Sequence, residues 1–112
     1  MTAAMRKVVL VTGGGRGIGA ATALLAARRG YAVAVNYLRD ADAADEVVAR
    51  IVADGGDAAA LQADVAVEAQ VAGLFARLDA RFGRLDALVN NAGVLETQMR
   101  LESMDAARVR RV

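Results

Sequence analysis

The sequence contains no cysteine, histidine, proline or tryptophan. Without cysteine there is no disulfide framework and no thiolate metal ligand. Without histidine the chain lacks the side chain most often used in zinc sites and beside catalytic nucleophiles. We therefore expect no metal centre. Basic and acidic residues are interspersed and nearly balanced, with a net charge of +1, which predicts no nucleic-acid partner.

Long apolar runs are missing as well. The first run ends at Val11 and is too short for the core of a signal peptide or for a membrane span, so we expect a cytoplasmic protein with no membrane partner. Hydrophobic residues nevertheless make up 56% of the 112 positions, which is enough to bury a core. This combination is typical of a single globular unit over residues 1–112.

Short apolar runs alternate with segments of helical spacing along the whole chain. The predicted strands cover residues 8–11, 31–36, 58–63 and 85–89. The predicted helices end at glycines, namely Gly30, Gly55-Gly56 and Gly83. Strands that alternate with helices predict right-handed crossovers and therefore an α/β fold. We expect a Rossmann-type doubly wound parallel sheet of about four strands and three to four helices, in the order 3-2-1-4.

Apolar residues recur at helical spacing in the segments between the strands. After the first strand these residues are Ile18, Ala21, Leu24 and Leu25, which predicts a helix there. In the second helix, over residues 40–54, Ala44, Val47, Val48, Ile51 and Val52 form an apolar stripe, with charged residues on the other face.

A glycine-rich stretch, Thr-Gly-Gly-Gly-Arg-Gly-Ile-Gly at residues 12–19, joins the first strand to the first helix. The first N–H groups of a helix lack partners and carry the positive end of its dipole, so a phosphate binds there if no Cβ blocks its approach. We assign Gly13 to the tight turn, Gly15 and Gly17 to the close approach of a pyrophosphate, and Gly19 to the packing of the helix against the sheet.

The spacing of these glycines is G-x-x-x-G-x-G, which differs from the common dinucleotide pattern G-x-G-x-x-G. It also differs from the ATP-binding P-loop, because Ile18-Gly19-Ala20 stands where that loop needs lysine and serine or threonine. Taken alone, the stretch leaves open a second interpretation, in which the glycines serve only the geometry of the loop.

Three motifs occur in order: the 12–19 turn, Asp64-Val65, and Asn90-Asn91-Ala92-Gly93. With these motifs the whole chain resembles the N-terminal part of a short-chain dehydrogenase/reductase, in the style of 3-oxoacyl-carrier-protein reductases and bacterial glucose dehydrogenases. The resemblance implies an oxidoreductase that transfers a hydride between a nicotinamide cofactor and a small carbonyl or alcohol substrate. It also implies a homo-oligomer in the complete form.

The resemblance places the pyrophosphate and the adenosine ribose near the glycine turn, with Ile18 beneath the nicotinamide side. Asp64 resembles the carboxylate that accepts a hydrogen bond from the adenine amino group, and Val65 would offer backbone and apolar contact to the ring. The alternative role for Asp64 is a helix cap. Residues 91–93, Asn-Ala-Gly, resemble the segment along the cofactor ribose, although alone they would be an ordinary turn.

The end of the second strand predicts NADP rather than NAD. NAD-specific folds place an acidic residue about 20 residues after the turn, where it binds the ribose 2′-hydroxyl, and Tyr37 holds that position here. Arg16 and Arg39 would bind a 2′-phosphate, with Arg16 favoured because it is held inside the turn, whereas Arg39 has the alternative interpretation of a solvated loop residue. Asp40 and Asp42 would weaken the preference if the loop folds back. The candidate cofactor-binding residues are therefore Gly13, Gly15, Arg16, Gly17, Ile18, Gly19, Tyr37, Arg39, Asp64, Val65, Asn91, Ala92 and Gly93.

No catalytic residue is identified. The family credits hydride transfer to a serine, an asparagine and a Tyr-x-x-x-Lys pair, but neither Tyr31 nor Tyr37 has that spacing, and the only serine is Ser103, a predicted helix cap. The sequence stops at Val112 inside a helical pattern, which predicts truncation. A catalytically inactive nucleotide-binding fragment is thus the second hypothesis. A methyltransferase-type domain is a distant third, because no acidic residue ends the first strand.

Overall fold

The computed structural model describes residues 6–91. Its elements are β1 (Val8–Val11), α1 (Gly17–Arg28), β2 (Ala32–Tyr37), α2 (Ala41–Ala53), β3 (Ala58–Gln62), α3 (Glu68–Phe82) and β4 (Ala87–Val89). Every strand pair is parallel and the sheet order is β3-β2-β1-β4. The predicted α/β class and strand order are confirmed. The interpretations placed on Ala92, Gly93 and Ser103 lie outside the described residues.

Helices cover both faces of the sheet, because successive side chains of a strand point to opposite sides. One core lies between the sheet and α1 and α2, and its strand residues include Val9, Val11, Val33 and Val35. The other lies between the sheet and α3, and its strand residues include Val8, Leu10, Ala32 and Ala34. β1 and residues 32–35 of β2 therefore bury both faces, which is why these segments consist only of valine, alanine and leucine.

The predicted helix ends agree with the structure. α3 ends at Gly83, whose φ of 78° is the left-handed conformation that glycine adopts without strain. α2 begins after Asp40, whose carboxylate accepts a hydrogen bond of 3.0 Å from the backbone N–H of Ala43. This cap satisfies one of the donors that every helix N-terminus leaves unpaired.

The apolar residues of α1 are not all on its buried side. Ile18 is 79% exposed, Leu25 is 49% exposed and Ala21 also faces solvent, whereas Gly19 and Ala23 are buried and Leu24 packs, partly buried, against the core. The sheet and α2 approach α1 closely, so small residues occupy its fully buried positions. Val52 at the edge of the α2 stripe is likewise 53% exposed.

Three strands differ slightly from their predicted bounds. β2 lies one residue later than predicted, β3 ends one residue earlier at Gln62, and β4 is shorter because Leu85 and Asp86 precede it as buried residues. The carboxylate of Asp86 accepts hydrogen bonds from the N–H of Val8 at 2.7 Å and from Nε of Arg84 at 2.8 Å. The hydrogen bond with Asp86 raises the pKa of Arg84, so this guanidinium stays charged. The hydrogen bond between Asp86 and Val8 thus aligns the first residues of β4 with those of β1, where Ala87 pairs with Val9.

The strand arrangement predicts that the 112-residue chain self-associates. Within residues 6–91 only β1 pairs with β4, and the outer face of α1 presents Ile18 and Leu25 to solvent. Unpaired strand edges and exposed apolar side chains both favour association. Size-exclusion chromatography with light scattering is expected to show species larger than a monomer. A clean monomer with a single cooperative thermal transition would contradict this expectation.

Candidate nucleotide-binding site

The candidate residues gather at one edge of the sheet, because the carboxyl ends of parallel strands lie side by side. Val11, the last residue of β1, pairs with Val35 of β2 and with Val89 of β4. Tyr37 at the end of β2 pairs with Gln62 at the end of β3. The turns that follow the four strands therefore share one edge, which is where open α/β sheets bind their ligands.

Thr12 ties the glycine turn to the sheet. Its side chain is fully buried, and its backbone N–H donates to the carbonyl oxygen of Val89 at 3.0 Å. The hydroxyl oxygen lies 3.2 Å from Oδ1 of Asn90, within hydrogen-bonding distance. The start of the turn and the end of β4 are thus held together through both backbone and side chain.

Close contacts at Gly13 and Gly19 leave no room for a side chain on Gly19. Gly13 has a φ of 61°, and its carbonyl oxygen accepts a hydrogen bond of 3.1 Å from Nδ2 of Asn91. A Cβ on Gly19 would lie only 2.2 Å from that same carbonyl oxygen and 2.8 Å from Nδ2 of Asn91. The close neighbour of Gly19 is therefore the turn itself, whereas the sequence analysis assigned this glycine to packing against the sheet.

Gly15 and Gly17 face different surroundings. A Cβ on Gly15 would lie 3.2 Å from the backbone nitrogen of Ala44, so this glycine also allows α2 to approach the turn. At Gly17, the first residue of α1, φ is 57° and nothing lies within 4 Å of the Cβ position. The open side of the turn is therefore at the N-terminus of α1, where unpaired N–H groups favour an anion.

A groove of about 480 Å³ lies beside this turn. Its walls include the end of β2 and the start of α2, with Tyr37, Leu38, Arg39 and Asp40. Arg16 also lines the groove, and its side chain is 78% exposed, with its guanidinium nitrogen 4.0 Å from the Asp40 carboxylate. An ion pair this long and this exposed contributes about 0–1 kcal/mol.

Asp64 lies in the turn after β3, and it is not the N-cap of α3. That position belongs to Val67, which makes no side-chain cap, while Oδ1 of Asp64 accepts a hydrogen bond of 3.0 Å from the N–H of Ala66. The helix-cap alternative for Asp64 is therefore wrong. Val65 is 6% exposed and its side chain belongs to the core beneath α3, so any contact with a ligand falls to its backbone.

The sequence analysis missed the role of Asn36, a buried polar residue near the end of β2. Its side-chain amide contacts the glycine turn and the end of β3. The available signal was an asparagine at the end of an otherwise apolar strand, where asparagine has low β-propensity and, when buried, needs partners. Asn91 lies beside the turn, where its Nδ2 donates to the carbonyl oxygen of Gly13, and Ile18 is exposed at the start of α1.

Comparison with known proteins identifies the class of this protein. The family model described as short chain dehydrogenase matches residues 7–112, so the chain belongs to the short-chain dehydrogenase family of oxidoreductases. Members of this family use NAD or NADP as cofactor. None of the helices within residues 6–91 is long and apolar enough to cross a membrane.

Among its relatives, the chain is 52% identical over 105 residues to an uncharacterized oxidoreductase, YgfF, of Escherichia coli, covering 94% of this chain and 42% of that protein. It is 49% identical over 110 residues to a 3-oxoacyl-[acyl-carrier-protein] reductase of Synechocystis, covering 95% and 44%. The acetoin dehydrogenase structure from Enterobacter cloacae matches with a TM-score of 0.74 at 43% identity, covering 80% of this chain and 35% of that one. The chain thus spans less than half the length of these relatives.

The glycine contacts predict opposite effects for two matched substitutions. Gly19→Ala places a methyl group against the carbonyl of Gly13, so we expect it to lower the free energy of unfolding by about 1–3 kcal/mol. Gly73→Ala is the control, because Gly73 lies inside α3 with nothing within 4 Å of its Cβ position. It should raise stability by about 0.5–1 kcal/mol. Urea unfolding followed by circular dichroism measures both, and an unchanged Gly19→Ala midpoint would contradict the packing argument.

Proposed function

We propose that this chain is the cofactor-binding portion of an NADP(H)-dependent oxidoreductase that interconverts carbonyl and alcohol groups of small molecules by hydride transfer. The observation that carries the proposal is the groove beside the glycine turn, which Arg16 and Arg39 line, with Tyr37 at the end of β2. An acidic side chain at the position of Tyr37 would bind the 2′-hydroxyl of NAD and repel the 2′-phosphate of NADP. With tyrosine at that position, a 2′-phosphate would not be repelled and could bind the guanidinium groups of Arg16 and Arg39.

The residues on this edge of the sheet fit such a cofactor. The open side of the turn at Gly17 would take the pyrophosphate, since a Cβ there would otherwise project into that space. Arg16 would hold the 2′-phosphate and Asp64 the adenine amino group, while the segment from Asn91 to Gly93 would follow the ribose. When bound, the nicotinamide ring supplies or accepts the hydride. The protein's own contribution here is to bind and orient that group.

The ion pair between Arg16 and Asp40 competes with binding of a 2′-phosphate by Arg16. The free energies of the two interactions decide which one forms. The exposed pair is worth about 0–1 kcal/mol, whereas a hydrogen bond to a charged phosphate oxygen is worth about 1.5–3 kcal/mol. Asp40 is also engaged as the N-cap of α2. The guanidinium of Arg16 would therefore bind a 2′-phosphate in preference to the carboxylate of Asp40. Asp40 would reduce the preference for NADP without reversing it.

Calorimetric titration with 2′-phospho-AMP and AMP tests this preference. The unmodified chain is expected to bind 2′-phospho-AMP more tightly, and Arg16→Ala should reduce that advantage about ten-fold, the lower end of the range for a charged hydrogen bond because Arg16 is exposed. Arg28→Ala is the matched control, since Arg28 is an exposed arginine in the last turn of α1. It should leave the ratio unchanged.

Asp40→Asn supplies a second comparison. Asparagine is as good an N-cap as aspartate, so the helix is retained while the negative charge beside Arg16 is removed. The preference for 2′-phospho-AMP should then rise by up to about five-fold. Equal affinities for the two ligands in the unmodified chain, or a preference that Arg16→Ala leaves intact, would overturn the assignment of NADP.

A second candidate function is nucleotide binding without turnover, and the position of the only lysine favours it for these 112 residues. Lys7 lies at the amino end of β1, while Tyr37 ends β2 at the opposite edge of the sheet. The two side chains are therefore not neighbours at the candidate site. The Tyr-x-x-x-Lys pair to which the family credits proton transfer is therefore absent from residues 6–91.

We therefore expect the chain alone to show no turnover. Because the described residues hold no Tyr-x-x-x-Lys pair, general acid catalysis worth about 10²–10⁴-fold in rate would be lacking. NADPH oxidation measured with a panel of small aldehydes and ketones should remain at the background rate, with a full-length family reductase as the positive control. Oxidation above background by protein free of contaminating reductases would refute this expectation.

A further inference from the structure

Asn36 is a polar side chain buried inside the sheet, with 2% of its surface exposed. Its Oδ1 accepts a hydrogen bond of 3.2 Å from the backbone N–H of Gly13. Its Nδ2 donates to the carbonyl oxygens of Leu61 and Ala63, each at 3.2 Å. One amide group thus contacts the glycine turn on one side and the end of β3 on the other.

The backbone of the same residue makes a further contact with the turn. The carbonyl oxygen of Asn36 accepts a hydrogen bond of 2.8 Å from the N–H of Gly14, so two successive amides of the turn are held by one residue. On the other side, Ala63 directly precedes Asp64, and its N–H donates to the carbonyl oxygen of Tyr37 at 3.0 Å. Asn36 therefore connects the turn to the segment that presents Asp64.

The chemistry of this position suits asparagine better than its close analogues. The site needs one acceptor and two donors on a short planar group, which an amide provides. Aspartate would keep the acceptor but turn a carboxylate oxygen toward two carbonyl oxygens, and alanine would leave the partly buried N–H of Gly13 without this partner. Since asparagine is disfavoured in strands, its presence at the end of β2 calls for a reason beyond strand formation.

We propose that Asn36 is a positioning residue that fixes the spacing between the pyrophosphate turn and the adenine-side segment at Asp64. The proposal rests on the proposed function, since it assigns these two places to one dinucleotide. A ligand that spans both places depends on their relative position more than a shorter ligand does. Loss of Asn36 is therefore expected to weaken ADP by about 2- to 12-fold, the equivalent of one net hydrogen bond, and to weaken AMP less.

The first measurement needs no variant. Residue-resolved hydrogen exchange of the unmodified chain by NMR should show the Gly13 amide protected, because Asn36 Oδ1 accepts its hydrogen bond. Exchange of Gly13 at the rate of an unprotected amide would overturn the proposal, even if every substitution at position 36 prevented folding.

The second measurement compares ADP and AMP affinities of Asn36→Ala, Asn36→Asp and a control, Gln62→Ala. Gln62 is matched because its side-chain amide donates to the carbonyl oxygen of Leu38 at the same sheet edge, but it is exposed and does not contact the turn. We expect Asn36→Asp to keep Gly13 protected, to bind ADP weakly at pH 8, and to recover affinity relative to the unmodified chain as the pH falls. The recovery follows because a buried carboxyl facing carbonyl oxygens has a raised pKa and, once protonated, can donate to one of them.

The outcomes separate the two ideas. If the unmodified chain binds neither ADP nor AMP, the proposed function fails. If it binds both, but Asn36→Ala weakens ADP no more than Gln62→Ala does, the proposed function stands and the positioning role of Asn36 is refuted. A selective loss of ADP affinity in folded Asn36→Ala, with recovery of Asn36→Asp at low pH, supports the positioning role, because a merely structural defect would weaken both ligands alike.

Discussion

The contact between the first helix and the carbonyl oxygen of Gly13 is the constraint on which the candidate site depends. An added Cβ at Gly19 would lie 2.2 Å from that oxygen, well inside van der Waals contact, so only glycine lets α1 start this close to the turn. Asn91 binds the same oxygen from the end of β4. One carbonyl thereby fixes the direction of α1 relative to the central strands, and the direction of its N-terminus follows.

The remaining contacts of the turn hold it in place from the other strands. Thr12 is bonded to β4 through Val89, while Gly13 and Gly14 are bonded to β2 through Asn36. Each of these bonds is modest, about 0.5–1.5 kcal/mol net. Their combined effect is geometric, because a turn held from both neighbouring strands loses the freedom that flexible loops retain. A rigid turn offers its open N–H groups to an anion without an ordering cost.

Sequence patterns predicted the features that depend on local chemistry and strand order. The alternation of strands and helices, the glycine ends such as Gly83 and the sheet order follow from periodicity, turn chemistry and crossover handedness, and all agree with the structure. The face of α1 could not be read in this way. Its inner surface is set by how closely α2 and the sheet approach, so small residues such as Ala23 are buried and Ile18 is exposed.

The polar residues that sequence reasoning missed share one property, which is that their partners are distant along the chain. Asp86 bonds to the N–H of Val8, 78 positions away, and Asn36 bonds to Gly13 and Ala63 at separations of 23 and 27. No local pattern encodes such contacts. A buried polar side chain in an apolar strand does signal that a partner exists, since an unpaired one would be costly. Which residue is that partner can be known only from the folded structure.

The arginines that suit a bound phosphate and the only lysine of the sequence lie at opposite ends of the strands. The carboxyl edge of the sheet carries the turn, Arg16 and Arg39, which suit an anionic ligand, whereas the single lysine of the sequence lies at the amino end of β1. Binding a phosphate needs donors and positive charge at one place, and this edge has both. Proton transfer to a substrate oxygen further needs an acid of suitable pKa within hydrogen-bonding reach. Lys7 lies at the amino end of β1 and Tyr37 at the carboxyl end of β2, so the described residues bring donors and positive charge together at one edge but do not place a lysine beside a tyrosine there.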